Sequence, residues 1–184
     1  MARTNYFARP ISISNWLTEA GIIIGASVII SLCAPISIPL PFTPIPLAIS
    51  LQVILFLSAF LGSRRAPLAV LAYIAQGVVG LPVFAGGAAG FLTLFGPRGG
   101  YLFGFVIAAF IMGWLCERMA QRTYQKLFAS MAAANAIVYF FGALWLSTFL
   151  GMEKAILVGV LPFIPGDLLK ILLALKILKK KTNT

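Results

Sequence analysis

Long apolar stretches alternate with short polar segments along this chain, and six of the stretches approach the length of a membrane crossing. A helix needs about 20 predominantly apolar residues, with a range of about 17–25, to cross the hydrocarbon core. The stretches predict spans at residues 21–38, 46–61, 66–80, 100–115, 130–150 and 156–178. We therefore expect an all-α integral membrane protein with six transmembrane helices, folded as a single domain over residues 1–184.

The amino-acid composition agrees with this pattern. Hydrophobic residues make up 61% of the 184 residues, charged residues make up 10%, and the mean hydropathy is +1.02. A soluble domain has about 45–50% apolar and about 25% charged residues. A soluble core of this length could not bury so much apolar surface. Cys33 and Cys116 both lie within apolar stretches, where they are more simply small hydrophobic residues than disulfide partners or metal ligands.

The distribution of the net charge of +10 indicates membrane topology rather than a nucleic-acid groove. Basic residues fall in every second polar segment: Arg3 and Arg9, then Arg64 and Arg65, then Arg118, Arg122 and Lys126, then Lys179, Lys180 and Lys181. Of the segments between them, the first loop has no charge, the third has only Arg98, and the fifth has Glu153 and Lys154. Because positive residues concentrate on the cytoplasmic side, we expect cytoplasmic termini and outward-facing first, third and fifth loops.

Two of the outward loops have unusual compositions. The first has five prolines in residues 35–46, which exclude a helix, yet it remains apolar. The third, residues 80–101, is rich in glycine, which permits tight turns and close approach of the backbone to a ligand. Irregular backbone at membrane depth is tolerated where it is buried in protein or lines a cavity. These loops therefore predict two apolar lids over a small-molecule pocket; two tight connections without a ligand are the alternative.

Asp167 is an acidic residue within the last apolar stretch, and Lys170 follows it on the same helical face. Pro165 and Gly166 suit a helix start and would place Asp167 in the first turn. The pair could be a mutual ion pair that keeps the span in register, or it could present hydrogen-bonding groups to a polar, uncharged head group. Arg98 could bind an anionic group through bidentate hydrogen bonds, or extend to the lipid head groups.

No catalytic set emerges from the sequence, and we expect neither an enzyme nor a bound metal or cofactor. The chain has no histidine, no paired carboxylates and no phosphate-binding Gly-x-x-x-x-Gly-Lys-Ser/Thr motif. Two alternatives stay open beside a binding subunit. A membrane enzyme that used Asp167 and Lys170 would need a further catalytic group. A self-contained secondary transporter would more often show an inverted repeat, and none is detectable here.

Gly21 and Gly25 in the first span are four residues apart, a spacing that lets another helix approach closely. The partner could be internal or belong to another protein.

Five motifs along the chain resemble the biotin-specific substrate-binding subunits (BioY family) of energy-coupling-factor transporters. They are Pro-Phe-Thr-Pro-Ile-Pro at 41–46, Leu-Gly-Ser-Arg-Arg at 61–65, Gly-Leu-Pro-Val-Phe-Ala-Gly-Gly at 80–87, Gly-Pro-Arg-Gly-Gly-Tyr-Leu-Phe-Gly-Phe at 96–105 and Pro-Gly-Asp-Leu-Leu-Lys at 165–170. They occur in order over most of the chain, and their combination is more specific than any one of them.

The resemblance implies a six-helix subunit of the plasma (inner) membrane that captures biotin from outside. It would associate with a transmembrane coupling protein and two cytoplasmic ATPases. By motif position, Asp167 and Lys170 would bind the ureido head of biotin and Arg98 its carboxylate. Four other residues would line the pocket under the proline-rich lid: Phe84, Gly86, Gly87 and Tyr101. Gly21 and Gly25 would resemble the family's small-residue surface for the coupling protein.

Overall fold

The computed structural model of the chain describes residues 16–121 and 123–182, with side chains as far as Leu172. Arg3, Arg9 and Arg122 of the predicted charge pattern lie outside the described residues, as do the side chains of Lys179, Lys180 and Lys181. The elements are α1 (Trp16–Cys33), β1 (Ser37–Ile38), β2 (Leu47–Ala48), α2 (Ser50–Val78), a 3-10 turn (Ala85–Gly87), α3 (Leu92–Phe95), α4 (Gly99–Arg118), α5 (Tyr124–Leu150), α6 (Met152–Gly159) and α7 (Phe163–Thr182).

Five helical stretches in the described part are long and apolar enough to cross a membrane: Trp16–Cys33, Ser50–Val78, Gly99–Arg118, Tyr124–Leu150 and Met152–Leu172. The second of these contains two crossings, because Gly62 has φ 79° and ψ −179° and interrupts α2. A straight helix would separate residues 51 and 73 by about 33 Å, at about 1.5 Å per residue. Leu51 and Tyr73 nevertheless line the same cavity, so the chain reverses at Gly62. The predicted all-α fold with six spans is thereby confirmed.

The reversal at Gly62 corrects the predicted connection between the second and third spans. We expected a loop at residues 62–65, but Arg64 and Arg65 lie in the helical part of α2 that follows the break. Glycine is suited to this turn because its φ falls in the left-handed region, which side chains with a Cβ rarely adopt. On α4, Gly113 packs directly against the Gly62 backbone, so the absence of a side chain there allows the contact.

Two other predicted boundaries were wrong. The first span begins at Trp16 and ends at Cys33, because Pro35 lies in a turn that follows the helix and Ser37–Ile38 form the first strand of a hairpin. The last span is broken between α6 and α7 at residues 160–162. Helix α7 begins at Phe163, so Asp167 is its fifth residue and does not lie in the first turn as expected.

Polar contacts fasten the end of the molecule that contains Gly62, which we call the basic end. Glu117 on α4 accepts 2.7 Å hydrogen bonds from the backbone amide and the hydroxyl of Ser63, the first residue after the break. The carboxylate thus satisfies donors that a new helix start leaves free. Arg65 donates from Nε and Nη2 to the carboxylate of Glu19 on α1, both at 2.6 Å. Exposed basic side chains at this end include Arg64, Arg118 and Lys126.

Helix α1 also packs on the second half of α2 through a small polar network between the spans. Ser31 Oγ donates to Gln76 Oε1 at 2.6 Å, and Gln76 Nε2 donates to Ser27 Oγ at 2.8 Å. Each polar group therefore has a partner, as a group shielded from water requires.

The opposite end, which we call the lid end, is covered by two irregular segments. Lid 1 is residues 34–49, where β1 and β2 form an antiparallel pair with Ser37 opposite Ala48 and Ile38 opposite Leu47. Lid 2 is residues 79–98 and contains the 3-10 turn and α3. Gly80, Gly86, Gly87 and Gly90 in lid 2 all have positive φ, which explains the glycine-rich sequence of this segment. Both segments that were predicted to be ordered lids are therefore structured, and they lie at the same end of the bundle.

Candidate functional site

A cavity of about 690 Å³, including the part open to solvent, lies at the lid end between the lids and the spans. Its walls are mostly apolar, with a few polar groups, as is usual for small-molecule sites. The lining residues are Ile45, Pro46, Leu47, Ala48, Ser50, Leu51, Tyr73, Phe84, Ala85, Thr93, Arg98, Tyr101, Leu102, Phe105, Val138, Tyr139, Phe163 and Asp167.

Asp167 on α7 supplies a carboxylate to the cavity wall and is only 5% exposed. Its Oδ2 accepts a 2.6 Å hydrogen bond from the Tyr139 hydroxyl, and its Oδ1 accepts one of 3.1 Å from Lys170 Nζ. Lys170 Nζ also donates to the carbonyl oxygen of Ala48 in β2 at 2.8 Å. The carboxylate is therefore buried with one cation and one hydroxyl as partners, the condition under which a buried charge is tolerated.

Asp167 and Lys170 form the mutual ion pair that was one of the two interpretations of the sequence. The pair leaves some hydrogen-bonding positions of both side chains unused. A carboxylate offers about four acceptor positions and an ammonium three donors. Two acceptor positions on Asp167 and two donors on Lys170 are occupied within the described residues. Asp167 lines the cavity, and its remaining acceptor positions have no partner among the described residues.

Arg98 is the N-cap residue of α4 and lines the cavity from lid 2. Its Nε donates to the carbonyl oxygen of Pro44 at 3.2 Å, and its Nη1 donates to that of Ala85 at 3.0 Å. Partial burial lowers the pKa of the guanidinium from its usual value, but arginine in proteins stays charged. The side chain is thus anchored in protein rather than extended only toward lipid head groups.

Two aromatic side chains of the predicted set form part of the cavity wall. Phe84 packs edge-on against Tyr73, with ring centroids 5.7 Å apart at 88°. A Cβ at Gly77 would overlap the Phe84 ring, so this glycine makes room for it. Tyr101 donates its hydroxyl to the carbonyl oxygen of Gly159 at 2.7 Å and is thereby fixed in the wall.

The structure brings four of the predicted site residues to the cavity wall: Phe84, Arg98, Tyr101 and Asp167. Lys170 does not line the cavity itself, but it donates hydrogen bonds to two lining residues, Asp167 and Ala48. Gly86 and Gly87 do not line the cavity; they shape the 3-10 turn behind Phe84, each with φ 73°. Their positive φ serves the turn itself, and their predicted contact with a ligand stays a prediction.

Sequence reasoning missed Tyr139, which joins Asp167 to α5. The signal was a tyrosine inside the apolar stretch at residues 130–150, where a hydroxyl needs a hydrogen-bond partner. Nothing in the sequence identified that partner, which is 28 residues away.

Gly21 and Gly25 lie on an exposed face of α1. In the part of the chain that the structure describes, no heavy atom lies within 4 Å of a Cβ built on either glycine, apart from the adjoining residues and backbone of α1 itself. Exposed apolar side chains, including Ile24, Val28 and Leu32, continue this face along α1, and we call the whole surface the glycine stripe. A helix of the described residues is therefore not the partner of this surface.

Comparison with known proteins gives a consistent result. The family model described as "BioY family" matches residues 8–184. The biotin transporter BioY of Thermotoga maritima is 41% identical over 139 residues, which cover 74% of this chain and 80% of that protein. The probable biotin transporter BioY of Rickettsia prowazekii is 33% identical over 171 residues, which cover 92% of this chain and 86% of that protein.

A solved structure has the same fold. The crystal structure at 2.1 Å of the S-component for biotin from an ECF-type ABC transporter matches with a TM-score of 0.82. The match covers 95% of this chain and 96% of that chain at 24% sequence identity. At 24% sequence identity, the structural match shows that the two chains share the same fold.

Proposed function

The chain belongs to the BioY family, and on that premise we propose that it binds biotin for uptake, as the substrate-binding subunit of an energy-coupling-factor transporter. The observation that carries the proposal is the Asp167 carboxylate, held by Tyr139 and Lys170 in the wall of a mostly apolar cavity. A buried carboxylate with unused acceptor positions is a matched partner for a neutral group with N–H donors.

The chemistry of biotin matches that of the cavity. Its ureido ring has two N–H donors and one carbonyl acceptor, which Asp167 and the remaining donor of Lys170 can satisfy. The sulfur-containing ring and the alkyl chain are apolar and would contact Phe84, Tyr101 and the other apolar lining residues. The terminal carboxylate would lie near Arg98, whose guanidinium has N–H donors beyond the two bonded to Pro44 and Ala85.

We further propose that the lid end faces outward and the basic end faces the cytoplasm of the plasma (inner) membrane, with both termini cytoplasmic. The exposed Arg64, Arg118 and Lys126 at the basic end support this orientation, because basic residues concentrate on the cytoplasmic side. A transmembrane coupling protein and two cytoplasmic ATPases would supply the energy. The exposed stripe at Gly21 and Gly25 is the surface that we assign to the coupling protein.

A titration tests the binding proposal. Protein purified in detergent should bind biotin without ATP and discriminate against lipoate, which has no ureido ring. Asp167→Asn should weaken biotin binding by at least about tenfold, equivalent to about 1.4 kcal/mol, because the amide replaces one acceptor oxygen by a donor. Glu153→Gln is the control, since Glu153 is exposed on α6 and outside the cavity. Equal affinity of the Asp167→Asn protein and the wild type, with normal folding, would remove Asp167 from the site.

The other two functions considered from the sequence remain distinguishable by experiment. The curated relatives are named transporters, which disfavours a membrane enzyme. Uptake into liposomes by the chain alone, driven by a proton or sodium gradient, would instead support a self-contained secondary transporter.

A further inference from the structure

Arg98 connects the two lids to each other. Its Nε binds the Pro44 carbonyl oxygen in lid 1, 54 residues away in sequence, and its Nη1 binds the Ala85 carbonyl oxygen in lid 2. Among the hydrogen bonds of the described residues, the Nε bond to Pro44 is the one that links lid 2 to lid 1, and the Nη1 bond to Ala85 holds the guanidinium to the rest of lid 2. The other lid 1 carbonyl bound by a cation, that of Ala48, is held by Lys170 on α7.

Hydrogen bonds within each lid do not replace this connection. In lid 1, the Ile49 amide donates to the Ile36 carbonyl at 3.4 Å, and the Ile45 amide donates to Thr43 Oγ1 at 3.2 Å. In lid 2, the Phe84 amide donates to the Ala88 carbonyl at 3.0 Å. These bonds give each lid its own shape and leave the relative position of the lids to apolar contact and Arg98.

The shape of the guanidinium suits it to this connection. Its N–H groups diverge in a rigid plane, so one side chain can donate to two carbonyls on different segments at once. Arg98 is also fixed at its base, because it occupies the N-cap position of α4 and its own carbonyl accepts a 3.1 Å bond from the Tyr101 amide. Since Ile45, Pro46 and Ala85 line the cavity next to the bonded carbonyls, separating the lids would widen its mouth.

We propose that Arg98 is a positioning residue that fastens lid 1 to lid 2 over the cavity and thereby slows the exit of any bound ligand, whether or not the ligand has a carboxylate. This inference rests on the proposed function only for the identity of the ligand. It is separate from the carboxylate-binding role assigned to Arg98, which predicts an effect only on acidic ligands.

Dissociation rates of biotin and of its neutral amide separate the two roles. The Arg98→Ala protein should release the neutral amide faster by about tenfold or more, and biotin by at least the same factor. Arg98→Lys should not restore slow release, because an ammonium does not reproduce the planar geometry of the guanidinium. Arg64→Ala, at an exposed arginine of the basic end, is the matched control. Faster release of the acid alone would overturn the proposal in favour of a carboxylate contact, and unchanged release of both would overturn it outright.

If the wild type bound neither biotin nor its amide, the proposed function would be refuted. The role of Arg98 in holding the lids together could still be tested by a measurement that needs no ligand. Hydrogen–deuterium exchange should increase several-fold in peptides covering residues 36–48 when Arg98 is replaced by Ala, and remain unchanged in the Arg64→Ala protein. The amides of α5 serve as an internal reference for intact folding. Equal exchange of lid 1 in the wild type and in a folded Arg98→Ala protein would show that Arg98 does not fasten it.

Discussion

The Tyr139 hydroxyl on α5 donates a 2.6 Å hydrogen bond to Asp167 Oδ2 on α7. Lys170 approaches the other oxygen of the same carboxylate, so Asp167 is held from two directions. This arrangement fixes the orientation of the carboxylate in the cavity wall. A preoriented group loses little conformational freedom on binding, which favours affinity.

We predict that Tyr139→Phe weakens biotin binding by about tenfold or more. The substitution removes one hydrogen bond to a charged group, of a kind that contributes about 1.5–3 kcal/mol, and frees Asp167 to rotate. Isothermal titration of the purified protein measures the change. Tyr124→Phe is the matched control, because Tyr124 is exposed at the start of α5 and lies outside the cavity. The same loss of affinity in both variants would contradict a specific role of Tyr139.

Gly77→Ala should lower both thermal stability and biotin affinity. The new Cβ would overlap the Phe84 ring and force it toward the cavity, and overpacking of this kind costs about 1–3 kcal/mol. Thermal unfolding in detergent and a biotin titration test the two effects. Gly25→Ala is the control, since its Cβ meets open space and alanine favours a helix. Unchanged stability and affinity of the Gly77→Ala protein would show that Phe84 yields without cost.

Gly25→Leu should abolish uptake that depends on the coupling protein while leaving biotin binding intact. A leucine on the exposed glycine stripe would keep a partner helix from approaching closely, and the cavity is formed by other residues. Uptake is measured in cells that contain the energising module, and binding is measured on the purified variant. Leu144→Trp adds bulk to an exposed position of α5 and should leave uptake unchanged. Normal uptake by the Gly25→Leu protein would exclude this face as the coupling surface.

The sequence predicted well the features that depend on local composition. Charged residues such as Asp167 and Arg98 were conspicuous because they interrupt apolar stretches, and their cost in a membrane pointed to a role. Prolines and glycines marked the lids for the same local reason. The family resemblance, carried by five short motifs, was confirmed by the match over residues 8–184.

Features that depend on tertiary contact were beyond the sequence. The Tyr139–Asp167 bond joins different helices, and the partners of Arg98 and Lys170 are backbone carbonyls that any residue could supply. The early start of α7 at Phe163 was also missed. A proline is tolerated anywhere in the first turn of a helix, so Pro165 did not show at which residue α7 begins.

The chain reversal at Gly62 has a consequence for biosynthesis. The helical arms on its two sides, residues 50–61 and 63–78, are short for a bilayer crossing and share a turn of one residue. Neither arm is long or independent enough to be threaded into the bilayer alone. They would have to enter the bilayer together, as one hairpin whose tip carries Arg64 and Arg65; in the orientation proposed above, that tip stays on the cytoplasmic side.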